Sequence, residues 1–435
     1  MNSISSAKQA TPLVKSPVNP LIIIGALFFI FGFVTWLSSV LIPYLQIACE
    51  LSNFQSYLVA FAFYISYFIM ALPSGWMLKI TGFKKGMSVG LLLVALGSLL
   101  FIPAAIYREY LIFLIGLFVQ GAGLAVLQTA SNPYVTILGP SESAAKRMSI
   151  MGICNGVAGI IAPALLGAVI LSNADAITDQ LSSLSGAEKT IVLDDLAQKV
   201  ILPYIAITAI LIILAIVIYR SGLPEIDADY DEDVKSDDLD NKAEKSSIFH
   251  FPHLWLSVFT LFVYTGVEVI AGNTIISYGA YQDIPLSTAR FFTSFTLVGM
   301  LVGYLIGIIL IPKYLNQRTA LKISAALGIV FALMAIFTTG MVSVTFIALL
   351  GFANSLIWPS VWPLALNGLG KFTKLGSSLL VMAISGAALI PLLYGYLADV
   401  INAQQAYWIV VPCYAIIGWF AMYGYKVGIK NKKTL

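Results

Sequence analysis

One carboxylate and a few amides carry the chemistry open to this sequence. Glu268 lies within LWLSVFTLFVYTGVEVIAGNTIISYGAY, Leu254 to Tyr281, a stretch with no Lys, Arg or other acid. A charge in so apolar a run is costly unless it faces a protein interior or a wet cavity, so it marks a functional site by default. Three uses are open to Glu268. It can ligate Na+, with Asn273, Thr274 or backbone carbonyls completing the shell, because hard cations want oxygen ligands. It can load and release a proton. It can accept hydrogen bonds from the hydroxyls of a sugar. A purely structural buried glutamate is the bland alternative.

The polar residues of the other apolar segments suit a neutral polyhydroxylated solute. An amide supplies two donors and an acceptor with two lone pairs. Gln128, Asn132, Asn155, Asn273, Asn354 and Asn367 are candidates, with Trp36, Trp358 and Trp362 as stacking platforms. Gln128 and Asn132 are one turn apart and share a helix face. Asn155 falls on the fifth candidate span and can face the same space. Asn367 lies near a span end, where a capping or interfacial role is the simpler reading. No guanidinium or ammonium falls deep in a span, which argues against an acidic or phosphorylated solute. Alternatively, each amide bonds only to a neighbouring helix.

The elements that hold these residues are membrane helices. The chain is 59% hydrophobic and 10% charged, against roughly 25% charged in a soluble domain. Its charges cluster between long apolar runs, the pattern of an all-α membrane protein rather than a β-barrel. Twelve spans are expected, near 19–47, 54–80, 84–107, 109–138, 145–173, 200–220, 251–282, 287–313, 319–339, 341–368, 373–400 and 404–427. Of the basic residues, only Arg108, Lys189, Lys199 and Arg290 fall on the face away from the termini. The positive-inside rule then puts both termini in the cytoplasm. The N-terminal apolar run is too long for a cleaved signal peptide. Residues 1–18 read as a tail, 19–221 as one six-helix bundle, 222–250 as an acidic cytoplasmic linker, 251–428 as a second bundle and 429–435 as a tail. The polar stretch Ser172 to Lys199 reads as an external loop.

The two bundles repeat each other. Lys146, Pro163 and Gly167 have the same spacing as Lys374, Pro391 and Gly395, and NPYVTILGP from Asn132 aligns with WPLALNGLG from Trp362. In that register Trp358 lies opposite Gln128. Parallel six-helix repeats are a transporter architecture, with the solute site near mid-membrane between them. The scattered cysteines Cys49, Cys154 and Cys413 have no metal spacing, and His250 and His253 read as interfacial residues. Dispersed basic residues give no nucleic-acid patch, and no nucleophile–base set suggests an enzyme. A receptor without transport and an exporter of drugs or lipids are the competing classes. Short tails with no signalling domain count against the receptor, and the amide-rich spans against the exporter.

Four segments resemble the major facilitator superfamily, specifically its fucose permease group of fucose, galactose and glucose:cation symporters: LSNFQSYLVAFAFYISYFIMALPSGWMLKITGFKKG from Leu51, QTASNPYVTILGP from Gln128, GVEVIAGNTI from Gly266 and IWPSVWPLALNGLGKFTKLGSSLLVMAISGAALIPLLYG from Ile357. Lys79 stands where most of the superfamily has an acid, as in fucose permease. The GVEVIAGNTI segment is most like the glucose/galactose and N-acetylglucosamine members. The resemblance implies an inner-membrane hexose symporter, expected to be a monomer in the lipid bilayer with no cofactor beyond a coupling cation. Proton-coupled fucose permease has buried acids in its first and fourth spans; the matching positions here are Ser39 and Gln128. Their loss favours Na+ over H+, with coupling at Glu268, Asn273 and Ser39. A proton-coupled or uncoupled permease is the alternative.

Overall fold

The computed structural model describes residues 20–137, 144–171, 173–223, 247–311, 314–369 and 372–428. Both tails and most of the expected acidic linker lie outside these residues. Twelve stretches are long and apolar enough to cross a membrane. Spans 1 to 6 are Pro20–Ala48, Asn53–Ala71, Phe83–Tyr107, Tyr110–Ser131, Ile150–Ile170 and Gly186–Arg220. Spans 7 to 12 are Pro252–Asn273, Leu286–Leu310, Gln317–Phe337, Gly340–Leu366, Ser378–Val400 and Gln405–Met422. Because the count is even, both ends of the described chain lie at one end of the bundle, here the near end.

Long apolar side chains stand outward all around the bundle. Span 6 is the plainest case, with Leu202, Ile205, Ile210, Ile213, Ile216 and Val217 all exposed. In water such a surface would aggregate; against lipid tails it is the stable arrangement. The halves meet chiefly where span 2 packs on span 11 and span 5 on span 8.

Two spans at matching places in the repeat are broken. Span 1 consists of Pro20–Trp36 and Ser38–Ala48, with Leu37 between them. Beyond Asn273, the span 7 helix resumes as Ile275–Tyr281 after Thr274. Broken helices at mid-depth are tolerated only where protein or a cavity satisfies the freed backbone. Here Thr293 Oγ1 donates to Gly272 O at 2.7 Å and Thr296 Oγ1 to Ala271 O at 3.4 Å.

The stretch expected as an external loop from Ser172 to Lys199 is largely helical. Ala174–Ser183 and Gly186–Gln198 form there, and the second runs almost directly into Ile201–Arg220. Leu193, Leu196 and Ala197 recur at helical spacing and are buried. The Tyr44 hydroxyl donates to Leu196 O at 2.5 Å and Ala197 O at 2.9 Å, pinning this helix onto span 1.

Span 7 lies directly on span 11. A Cβ on Gly386 would sit 1.7 Å from Phe262 O, so only glycine permits this crossing. Gly386→Ala should cost about 3 kcal/mol, the upper end of what overpacking costs. A melting temperature lowered by several degrees in detergent is the expected result; an unchanged one would show that the helices can separate freely.

Candidate functional site

Glu268 stands one helical turn from Tyr264, whose hydroxyl donates to Glu268 Oε1 at 2.8 Å. Glu268 as a residue is half-buried. The Tyr264 ring lies 6.4 Å from that of Trp358, and Trp358 lies 5.2 Å from Trp362. One turn before Trp358, Asn354 is fully buried and its Oδ1 accepts from the Tyr414 hydroxyl at 2.7 Å. Asn354 Nδ2 is buried without a hydrogen-bond partner among the described residues. Tyr304 and Tyr414 both lie within electrostatic range of Glu268.

The first half contributes a facing set. Gln128 Nε2 donates to the Tyr67 hydroxyl at 3.1 Å. The rings of Tyr67 and Tyr64 stack 6.3 Å apart, and Tyr64 lies within electrostatic range of Glu268. Tyr67 and Tyr64 thus extend from Gln128 on span 4 toward the neighbourhood of Glu268 on span 7. Hydroxyl, amide and carboxylate groups beside aromatic faces suit a ring with polar edges and C–H faces.

The protein family model "Major Facilitator Superfamily" matches residues 24–385. The chain belongs to the major facilitator superfamily. The glucose/galactose transporter of Brucella abortus biovar 1 (strain 9-941) is 35% identical over 403 residues, covering 92% of each chain. The L-fucose-proton symporter of Escherichia coli (strain K12) is 32% identical over 414 residues, covering 94% of each. Among solved structures, the outward conformation of the facilitator FucP superposes with a TM-score of 0.69 at 32% identity, covering 94% of this chain and 99% of that one. These relatives place the chain in the fucose permease group of facilitators. They are transporters, not enzymes.

The facilitator fold disperses the other expected residues. Asn273 is fully buried between the halves, its Nδ2 donating to Ser38 Oγ at 3.0 Å while its Oδ1 has no protein partner. Thr274 donates to Ile270 O at 2.8 Å and lies 2.5 Å from the Tyr407 hydroxyl. Ser39 donates to Trp36 O at 2.8 Å, within its own span. Thus Asn273 and Thr274 bond to groups other than Glu268. Trp36 is 7% exposed and wedged against Gly159 of span 5 and Gly272 of span 7. Asn155 is half-buried where Gly32 of span 1 crosses its backbone. Asn367 is exposed, and its carbonyl lies 3.0 Å from Nε2 of His253, which is buried. Asn132 lies on the helix Tyr110–Ile137, with its side chain outside the described residues.

The amides and tryptophans stand out in the sequence, whereas Tyr64, Tyr67, Tyr264, Tyr304 and Tyr414 do not. For Tyr264 a signal was present, since a hydroxyl four residues before a carboxylate on a helix meets it. The hydroxyls of Tyr64 and Tyr67 are set by tertiary packing, which no local spacing reveals.

Proposed function

We propose that this facilitator imports a neutral hexose such as glucose or galactose by cation-coupled symport, exposing one central site alternately to each side. The observation that carries the reading is Glu268, held by the Tyr264 hydroxyl within an otherwise uncharged span, with Gln128, Tyr67 and Tyr64 of the other half in its neighbourhood. The named substrates of the relatives support the sugar class. In this reading Gln128, Asn132, Asn155, Asn354, Trp358 and Trp36 serve the sugar, with Asn273 and Ser39 near the coupling path. The termini face the cytoplasm of a bacterium, and the protein works as a monomer in the inner membrane.

Sodium is the preferred ion, because Ser39 and Gln128 replace the two acids of proton-coupled fucose permease. Glu268 would be its charged ligand, with Asn273 and Thr274 reaching it only after rearrangement from their present bonds. The proton is the second reading, supported by the 32% identity to an L-fucose-proton symporter. Uptake of labelled glucose, galactose and fucose into proteoliposomes, under separate Na+ and pH gradients, tests both. Accumulation driven by neither gradient would defeat the symport reading.

Tyr67→Phe should raise the half-saturating sugar concentration about fivefold, the equivalent of a net hydrogen bond of about 1 kcal/mol. The reason is that Gln128 loses the partner that sets its rotamer. Counterflow kinetics measure this, and an unchanged value would remove Gln128 from the site.

A further inference from the structure

The end of the bundle away from the termini, the far end, is fastened by two carboxylates that reach across to the opposite half. Asp399, at the close of span 11, accepts from Asn53 N at 3.0 Å, Asn53 Nδ2 at 2.8 Å and Phe54 N at 2.7 Å. These are the first two amides of span 2. Ser52 and Gln55 close the rest of that helix end through a capping box. Asp175, just beyond span 5, accepts from Leu286 N at 2.7 Å and Ser287 N at 3.0 Å, at the start of span 8.

Both contacts join the same structural pair, since span 5 corresponds to span 11 and span 2 to span 8. Both carboxylates use each oxygen on an amide at the positive end of a helix turn, where negative charge is favoured. Partial burial raises the Asp175 carboxyl, but the Ser287 and Leu286 amides, the Ser287 hydroxyl and the Arg290 charge outweigh it and hold it below the usual range. By contrast, the far-end ion pairs Arg108–Asp194 and Lys189–Glu50 lie within the first half and cannot hold the halves together. Two further hydrogen bonds between halves, Asn273 to Ser38 and Ser294 Oγ to Ile160 O, lie deeper in the bundle. Asn53 and Leu286 also line one cavity of about 490 Å³, so both clasps border the same space.

We propose that Asp175 and Asp399 are positioning residues for transport, a twin latch that holds the far end closed and releases it as the halves rock. This rests on the alternating-access reading given above. A transporter needs the two orientations close in energy, and each latch contact exists in only one of them. Asp175 and Asp399 touch no part of the proposed sugar site, so they set the orientation balance without altering sugar recognition.

Spin-label distances in the full-length protein test the latch. In a cysteine-free background, labels at Glu188 and Thr339 report the far end, and labels at Lys85 and Lys322 the near end. The parent with and without D-glucose shows whether the two ends move in opposition; failure there sinks alternating access, not the latch. Asp175→Ala and Asp399→Ala should each raise the far-end-open population several-fold, and the double variant by at least tenfold. Asp399→Asn, which keeps one acceptor, should fall between parent and Asp399→Ala and guards against loss of fold. The near-end distance must shorten as the far-end distance lengthens. Double-variant distances superimposed on the parent's, or far-end lengthening alone, would overturn the latch, the second being local fraying.

Discussion

Glu268→Gln is expected to abolish concentrative uptake while leaving sugar exchange measurable. The amide is nearly the same size and still accepts from Tyr264, so the aromatic wall of Trp358 and Trp362 stays in place. What disappears is the one acid of span 7, and with it the group proposed above to carry an ion's charge through the cycle. One charge moving through 100 mV supplies about 2.3 kcal/mol, which concentrates a solute roughly fifty-fold. The variant should lose that whole factor, so the inside-to-outside ratio falls to one. Counterflow, which needs no ion gradient, should persist. Accumulation of parental size and ion dependence would remove Glu268 from coupling.

Gly272→Val should arrest transport by a wholly different route. A Cβ at residue 272 would lie 2.2 Å from Trp36 Cζ3 and 3.0 Å from Cη2. Trp36 cannot retreat, because its opposite edge lies against Gly159, where an added Cβ would stand 2.6 Å from Cδ1. The valine is therefore tolerated only when spans 1 and 7 draw apart. A strain of about 3 kcal/mol shifts a balanced two-state equilibrium about 150-fold. Uptake should fall by about two orders of magnitude in folded protein. A cysteine at Asn402, which lines the far-end cavity, should become more reactive to maleimide. Parental uptake would show that Trp36 swings out of the way.

The spans were legible in the sequence because lipid imposes a simple rule on length and composition. The repeat was legible from Pro163 and Pro391, whose spacing survives in two halves. The helix Gly186–Gln198 was not, because Glu188, Lys189, Asp194 and Asp195 mask a short apolar stripe that only Tyr44 explains. The site was legible in part. Glu268 stood out by cost alone, and the repeat register set Trp358 opposite Gln128. Asn273 looked like its companion, yet Asn273 bonds to Ser38 across the interface. Five residues separate it from Glu268, and a helix turns the two side chains well apart over that interval. Cross-half partners are fixed by how two bundles dock, which no local pattern encodes.

The two far-end carboxylates stand at different places in the repeat. Asp175 follows Pro163 by twelve residues, whereas Asp399 follows Pro391 by eight. In the shared register Leu171 stands opposite Asp399, and Ala403 opposite Asp175. Neither acid thus occupies the other's place in the repeat, and each half fastens the far end from a position about one helical turn out of step with the other's.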